Sequence, residues 1–139
     1  ELSKLLAESY TLYLKTHNYH WNVTGPMFHS LHLLFEQQYT ELATAVDTIA
    51  ERIRALGSKA PGSYAAYAKL STVKDAEGDP DATEMLRTLT EDHRTVAERA
   101  NKVLKLAGQH EDEGSAAIAS DRIEIHEKAA WMLSAHLGD

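Results

Sequence analysis

The stretch from Phe28 to Gly57, FHSLHLLFEQQYTELATAVDTIAERIRALG, decides the fold. Phe28, Leu31, Phe35, Tyr39, Leu42, Val46, Ile49, Ile53 and Leu56 recur at alternating steps of three and four, the core-facing stripe of a helix about eight turns long. Gly57 ends it. A helix with so long an apolar side must bury it against other helices, which predicts a bundle.

The flanking sequence supplies the partners. Leu2, Leu5, Leu6, Leu12 and Tyr13 give a first helix from about Leu2 to Val23, broken at Thr24-Gly25-Pro26, with Pro26 suited to the first position of the next helix. After Gly57 comes a loop with Pro61 and Gly62, then a short apolar run, Tyr64 to Leu70, long enough for one or two turns. A third long helix is expected to open with Asp79 as cap and Pro80 at its first position, and to end at Gly108; Met85, Leu86, Leu89, Val96, Val103 and Leu104 form its apolar side. The last runs from about Ser115 to Leu137, with Ile118, Ile123, Ile125, Trp131, Leu133 and Leu137. No run alternates with period two long enough for a strand. The expectation is one all-α domain over residues 1–139: a four-helix bundle with a short extra helix in the long connection between the second and third long helices.

Composition narrows the function. The chain has 139 residues, no cysteine and a net charge of −7 from 21 acidic and 14 basic residues. Disulfide and thiolate chemistry are excluded, and an acidic chain is a poor general nucleic-acid binder but a fair attractor of cations. No apolar run approaches a membrane span and no signal-peptide pattern is present, so a cytosolic protein is the expectation. Histidine is the unusual feature. Four of the eight (His17, His20, His29 and His32) fall within sixteen residues.

Asp47 and Glu51 lie four apart on the second helix, as do His32 and Glu36, so each pair leaves one side of the helix a turn apart. At roughly 100° per residue, these four side chains cluster about 120° away from the apolar stripe. Ala43 and Ala50 lie between them, small enough for another helix to approach. A solvated helix face is the plain alternative for either pair. His32 and Asp47 stand fifteen residues apart, roughly 22 Å along the axis, whereas a metal–ligand bond is about 2 Å. One helix cannot bring both to one ion. An antiparallel copy can, about a two-fold axis near residues 40 to 42, and His20 is placed to complete the histidine half. The core site of an ordinary di-iron bundle needs Glu-x-x-His on two helices, and that motif is absent.

The segment from His17 to Gly57 resembles the signature of the Dps family, the mini-ferritins of the ferritin-like superfamily named DNA-binding protein from starved cells. The resemblance rests on the His20-Trp21 pair, on the spacing of His20, His32, Asp47 and Glu51, and on DTIAERI around the carboxylates; IHEKAAWMLSAHLG in the last helix is similar in pattern. It implies a dodecameric shell built from two-fold dimers, with ferroxidase sites at the dimer interfaces. Fe(II) would be oxidised there, preferentially by hydrogen peroxide, and the ferric mineral stored inside. His20 and His32 would bind from one subunit and Asp47 and Glu51 from its partner. Glu36 would help hold a second iron, and His17 could serve through water. Trp21 would lie beside the centre and could give an electron to a radical, although core packing is the ordinary explanation for a tryptophan. Asp121, Glu124 and Glu127 match acidic residues that line iron-entry pores, with a solvated face as the alternative.

Imidazole and carboxylate suit Fe(II), and zinc could occupy the same ligands without redox work. His93, His110, His126 and His136 read as surface or packing histidines, and Trp131 and Met132 as core or subunit contact. Two other readings compete: a DNA-compacting protein with little iron activity, and a helical interaction module. Family members that bind DNA usually do so through basic tails. Neither Glu1-Leu2-Ser3-Lys4 nor Gly138-Asp139 carries a basic run, which makes DNA binding by these 139 residues doubtful.

Overall fold

Gly25 turns the chain with φ +103°, a left-handed backbone that favours glycine, and reverses it between two long helices. A computed structural model describes all of residues 1–139 and contains five helices: α1 (Leu2–Asn22), α2 (Phe28–Ala55), α3 (Tyr64–Leu70), α4 (Ala82–Gln109) and α5 (Glu113–Ala135). The four long helices form a bundle without strands, and α3 lies in the connection between α2 and α4. α1 pairs with α2, α4 with α5, and α1 packs across onto α4. No helix is long and apolar enough to cross a membrane.

The core follows the apolar stripes. Leu5, Leu6 and Leu12 of α1 meet Leu31, Phe35, Leu42, Ile49 and Ile53 of α2, and Met85, Leu86, Leu89, Val96 and Val103 of α4. Burying each such side chain stabilises the fold by roughly 1.5–3 kcal/mol before entropy is counted. The ends of the α2 stripe depart from expectation: Phe28 and Leu56 are exposed.

Three helix starts also differ from the sequence reading. Pro26 lies in the turn, where the Phe28 N–H bonds the Gly25 carbonyl, and α2 begins at Phe28 rather than at the proline. The cap of α4 is Asp81, whose carboxylate accepts from the Glu84 N–H at 2.8 Å; Asp79 and Pro80 stay outside the helix. Both aspartates carry a cap's chemistry, but only Asp81 stands three residues before a free helical N–H. α5 begins at Glu113, because Asp112 caps the Ser115 N–H at 3.1 Å while also holding Arg52 of α2.

The inward row of α5 is not its isoleucines. Ile123 and Ile125 are only half-buried and Trp131 is exposed, whereas Ala119, Arg122, His126, Ala129 and Leu133 face inward. Arg122 makes two hydrogen bonds there to Glu41 of α2 and one to His126, while its buried Nε has no partner. His93 and His126 are fully packed, as one of the two sequence readings had it.

Candidate metal centre

His20 occupies the last turn of α1, where backbone carbonyls lack intrahelical partners. His32 lies just after the first turn of α2, across the Gly25 reversal. The His32 Nδ1–H donates to the His20 carbonyl at 2.7 Å, and the His20 Nδ1–H donates to the His32 carbonyl at 2.7 Å. A carbonyl can only accept, so both Nδ1 atoms carry protons, and in the neutral ring each Nε2 is the atom with the lone pair. A neutral imidazole with Nδ1 held by an acceptor is the form that binds a metal through Nε2. The rings stack with centroids 3.8 Å apart and planes within 13°.

Glu36, one turn beyond His32 on α2, brings a carboxylate oxygen to 3.8 Å from His20 Nε2. The Glu36 carboxylate therefore neighbours the His20 ring, on which the His32 ring is stacked. Asp47 and Glu51 do not join them. Both are exposed on the same helix further along, and no group of three metal-ligating side chains converges within the chain. His20, His32 and Glu36 are neighbours at one end of α2; Asp47 and Glu51 stand apart as a second pair without an ion-pair partner in the chain.

The aromatic surroundings are richer than the sequence suggested. Phe28, read as core, lies over His32 with ring centroids 5.0 Å apart and planes at 23°. Tyr39, also read as core, meets His20 edge-on at 5.2 Å. Trp21 is 59% exposed, so core packing does not explain it; it packs on His17 at 3.9 Å. His17 stacks on Tyr39 at 4.2 Å instead of turning to the His20–His32 pair, and burial, aided by nearby His20, pushes its pKa down. Phe28 and Tyr39 were hidden because their spacing fits the apolar stripe. His29 is exposed and outside the cluster. Asp121, Glu124 and Glu127 are all exposed and form no metal-binding group within the chain.

Comparison with known proteins gives this architecture a place. A ferritin-like domain model matches residues 1–139. DNA protection during starvation protein 2 of Bacillus anthracis is 36% identical over 136 residues, covering 98% of this chain and 93% of its own. The chain belongs to the Dps family. The crystal structure of a Dps protein from Vibrio cholerae O1 superposes with a TM-score of 0.93 at 36% identity, covering 98% of this chain and 86% of that one. That protein is described as a member of a broad superfamily of ferritin-like diiron-carboxylate proteins. An uncharacterized low temperature-induced protein of Nostoc is 41% identical over 134 residues, covering 95% of this chain and 75% of its own. Within this Dps chain no Glu-x-x-His exists to build a di-iron site in the bundle core, and the candidate carboxylates Glu36, Asp47 and Glu51 are exposed.

Proposed function

We propose that the chain is a ferroxidase and iron-storage subunit, in which His20, His32 and Glu36 of one protomer face Asp47 and Glu51 of a second across a two-fold axis. The observation that carries this reading is the reciprocal hydrogen bonding of His20 and His32, which in the neutral rings directs the free Nε2 of two stacked imidazoles away from the backbone, with a Glu36 carboxylate oxygen 3.8 Å from that of His20. Asp47 and Glu51 lie on the same outward side of α2, displaced along it, and an antiparallel copy of α2 would present them to the histidines.

Fe(II) is the substrate. Imidazole nitrogen with several carboxylate oxygens suits it, and the carboxylates offset the positive charge gained as Fe(III) forms. Two Fe(II) ions reducing one hydrogen peroxide yield two Fe(III) and two hydroxides, without releasing a hydroxyl radical. Ferric product would collect as mineral inside a dodecameric shell built from the two-fold dimers, working in the cytoplasm. Zn(II) would compete for the same ligands and block turnover. Asp121, Glu124 and Glu127 would contribute to iron entry where several chains meet.

The test is an anaerobic Fe(II) titration followed by peroxide, on the wild type and on Asp47→Asn/Glu51→Gln. The wild type should bind Fe(II) and oxidise it much faster than free iron in buffer. The variant should keep its helical signature and lose the rapid phase. Equal kinetics in the two proteins would overturn the assignment.

A further inference from the structure

Five of the six tyrosines belong to one chain of ring contacts that starts at His20. Tyr39 meets His20 at 5.2 Å and Tyr13 at 6.1 Å. Tyr13 meets Tyr10 at 5.8 Å. Tyr10 stacks on Tyr67 of α3 at 5.0 Å and meets Tyr64 of α3 edge-on at 6.3 Å. Tyr64 is 69% exposed. Tyr10, Tyr13, His17 and His20 lie three or four residues apart on α1, so one stripe of that helix carries the series from its first half to its C-terminal end. A branch leaves Tyr39 through His17 to Trp21.

Aromatic pairs at these separations are favourable packing, but packing does not require a hydroxyl. The chain has only two phenylalanines against six tyrosines, and not one phenylalanine falls in this series. Tyr67 donates its hydroxyl to the Pro61 carbonyl at 2.7 Å, and beyond such a bond what tyrosine has and phenylalanine lacks is a readily oxidised phenol. Burial raises the pKa values of Tyr10 and Tyr67 above the ordinary value, so these phenols keep their protons until oxidised.

We propose that this series is a relay that carries a one-electron oxidant away from the His20–His32 site to the tyrosines of α3. It rests on the reading that iron and peroxide react at that site. When a single Fe(II) meets peroxide, Fe(II) becomes Fe(III) and the peroxide gives hydroxide and a hydroxyl radical. Tyr39 gives that radical a hydrogen atom, forming water and a Tyr39 phenoxyl. Tyr13 then supplies an electron and a proton to Tyr39, Tyr10 to Tyr13, and Tyr64 or Tyr67 to Tyr10. Each step restores one phenol and leaves the next as phenoxyl. The hole ends on α3, away from the ligands the reaction needs.

The absence of cysteine allows a test without iron, because Asn22→Cys places a single thiol at the exposed end of α1 beside Trp21. A ruthenium photosensitiser on that thiol, flashed with a quencher, injects an oxidant at the branch. Radical-trap adducts on each tyrosine are then read by peptide mass spectrometry. Adducts should appear on Tyr64, and adding Tyr13→Phe should abolish them while those on Tyr39 remain. Tyr64 adducts that persist with Tyr13→Phe, or that are absent from both proteins, would overturn the relay. A second arm uses chain without the label, substoichiometric Fe(II) and peroxide, and reads iron oxidation beside the adducts. Iron oxidised at the same rate in wild type and Tyr13→Phe, with Tyr64 adducts only in the wild type, supports the relay with its entry at the site. Iron oxidised with Tyr64 adducts independent of Tyr13 overturns it. Success in the first arm with no rapid iron oxidation in the second leaves the relay standing and removes the proposed ferroxidase function.

Discussion

Arg122 donates from its guanidinium to His126 Nε2 at 2.9 Å, one turn along α5, and so sets the proton positions of two buried histidines. Arginine has no acceptor, which leaves the His126 proton on Nδ1 to donate to His93 Nδ1 at 2.8 Å. Both rings are neutral by construction, and a proton added to either would be a buried charge beside Arg122.

The first expectation is therefore an acid-labile fold. Burial, with Arg122 nearby, pushes the His93 pKa down to about 3, and burial, with His93 and Arg122, lowers that of His126 well below its ordinary value. The unfolded chain takes up these protons near the ordinary value of 6.5 and the folded chain does not. Stability is then full above that pH and falls as pH drops below it, by about 2 kcal/mol at pH 5 from His93 alone. Urea unfolding at pH 7.5 and at pH 5 measures the difference. A midpoint that does not move, or that rises in acid, would contradict the burial of this pair.

Helix capping gives a second, local expectation. Asp81→Ala should destabilise by about 1 kcal/mol, because the Glu84 N–H loses its acceptor. Asp79→Ala, outside the helix, should change the unfolding midpoint little.

Subunit mixing addresses the shared site directly. A chain with His20→Ala and His32→Ala and a chain with Asp47→Ala and Glu51→Ala should each be inactive alone. Refolded together, random pairing makes half the dimers mixed, and one interface in each mixed dimer receives both intact halves. About a quarter of wild-type iron oxidation should return. No recovery in properly assembled mixed shells would place the ligands somewhere other than across a two-fold axis.

The charge balance of −7 gives a fourth expectation. These 139 residues should not retard duplex DNA at physiological salt without divalent metal, because too few phosphates can be neutralised. A salt-sensitive shift at micromolar protein would show that the folded surface binds DNA after all.

The sequence made the bundle legible because the α2 stripe runs nearly unbroken through the core, and period is the one property a helix cannot disguise. α5 was read only in part, for a physical reason: Leu133 is core and Ile118, Ile123 and Leu137 pack against it, but the polar members of its buried row were missed. Its buried row contains Arg122 and His126, which look like surface residues until Glu41 and His93 are brought beside them from other helices. The candidate site divides in the same way. Spacing placed His32, Glu36, Asp47 and Glu51 on one side of α2, but the histidine pairing depends on how α1 returns across the Gly25 turn. Phe28 and Tyr39 escaped because an aromatic ring that lies over a histidine has the same spacing as one that fills a core.

His20 and His32 are each fixed by the other residue's main chain, not by its side chain. Replacing one ring therefore leaves the survivor its acceptor, with Nε2 still bare. What sets the protonation pattern of the pair is the number of residues between the two helices. One residue added among Thr24 to Met27 would rotate α2 against α1 and separate both donors from both carbonyls, with every ligand still present. The reactivity of these imidazoles is thus encoded as a loop length, in a segment that contributes no ligand of its own.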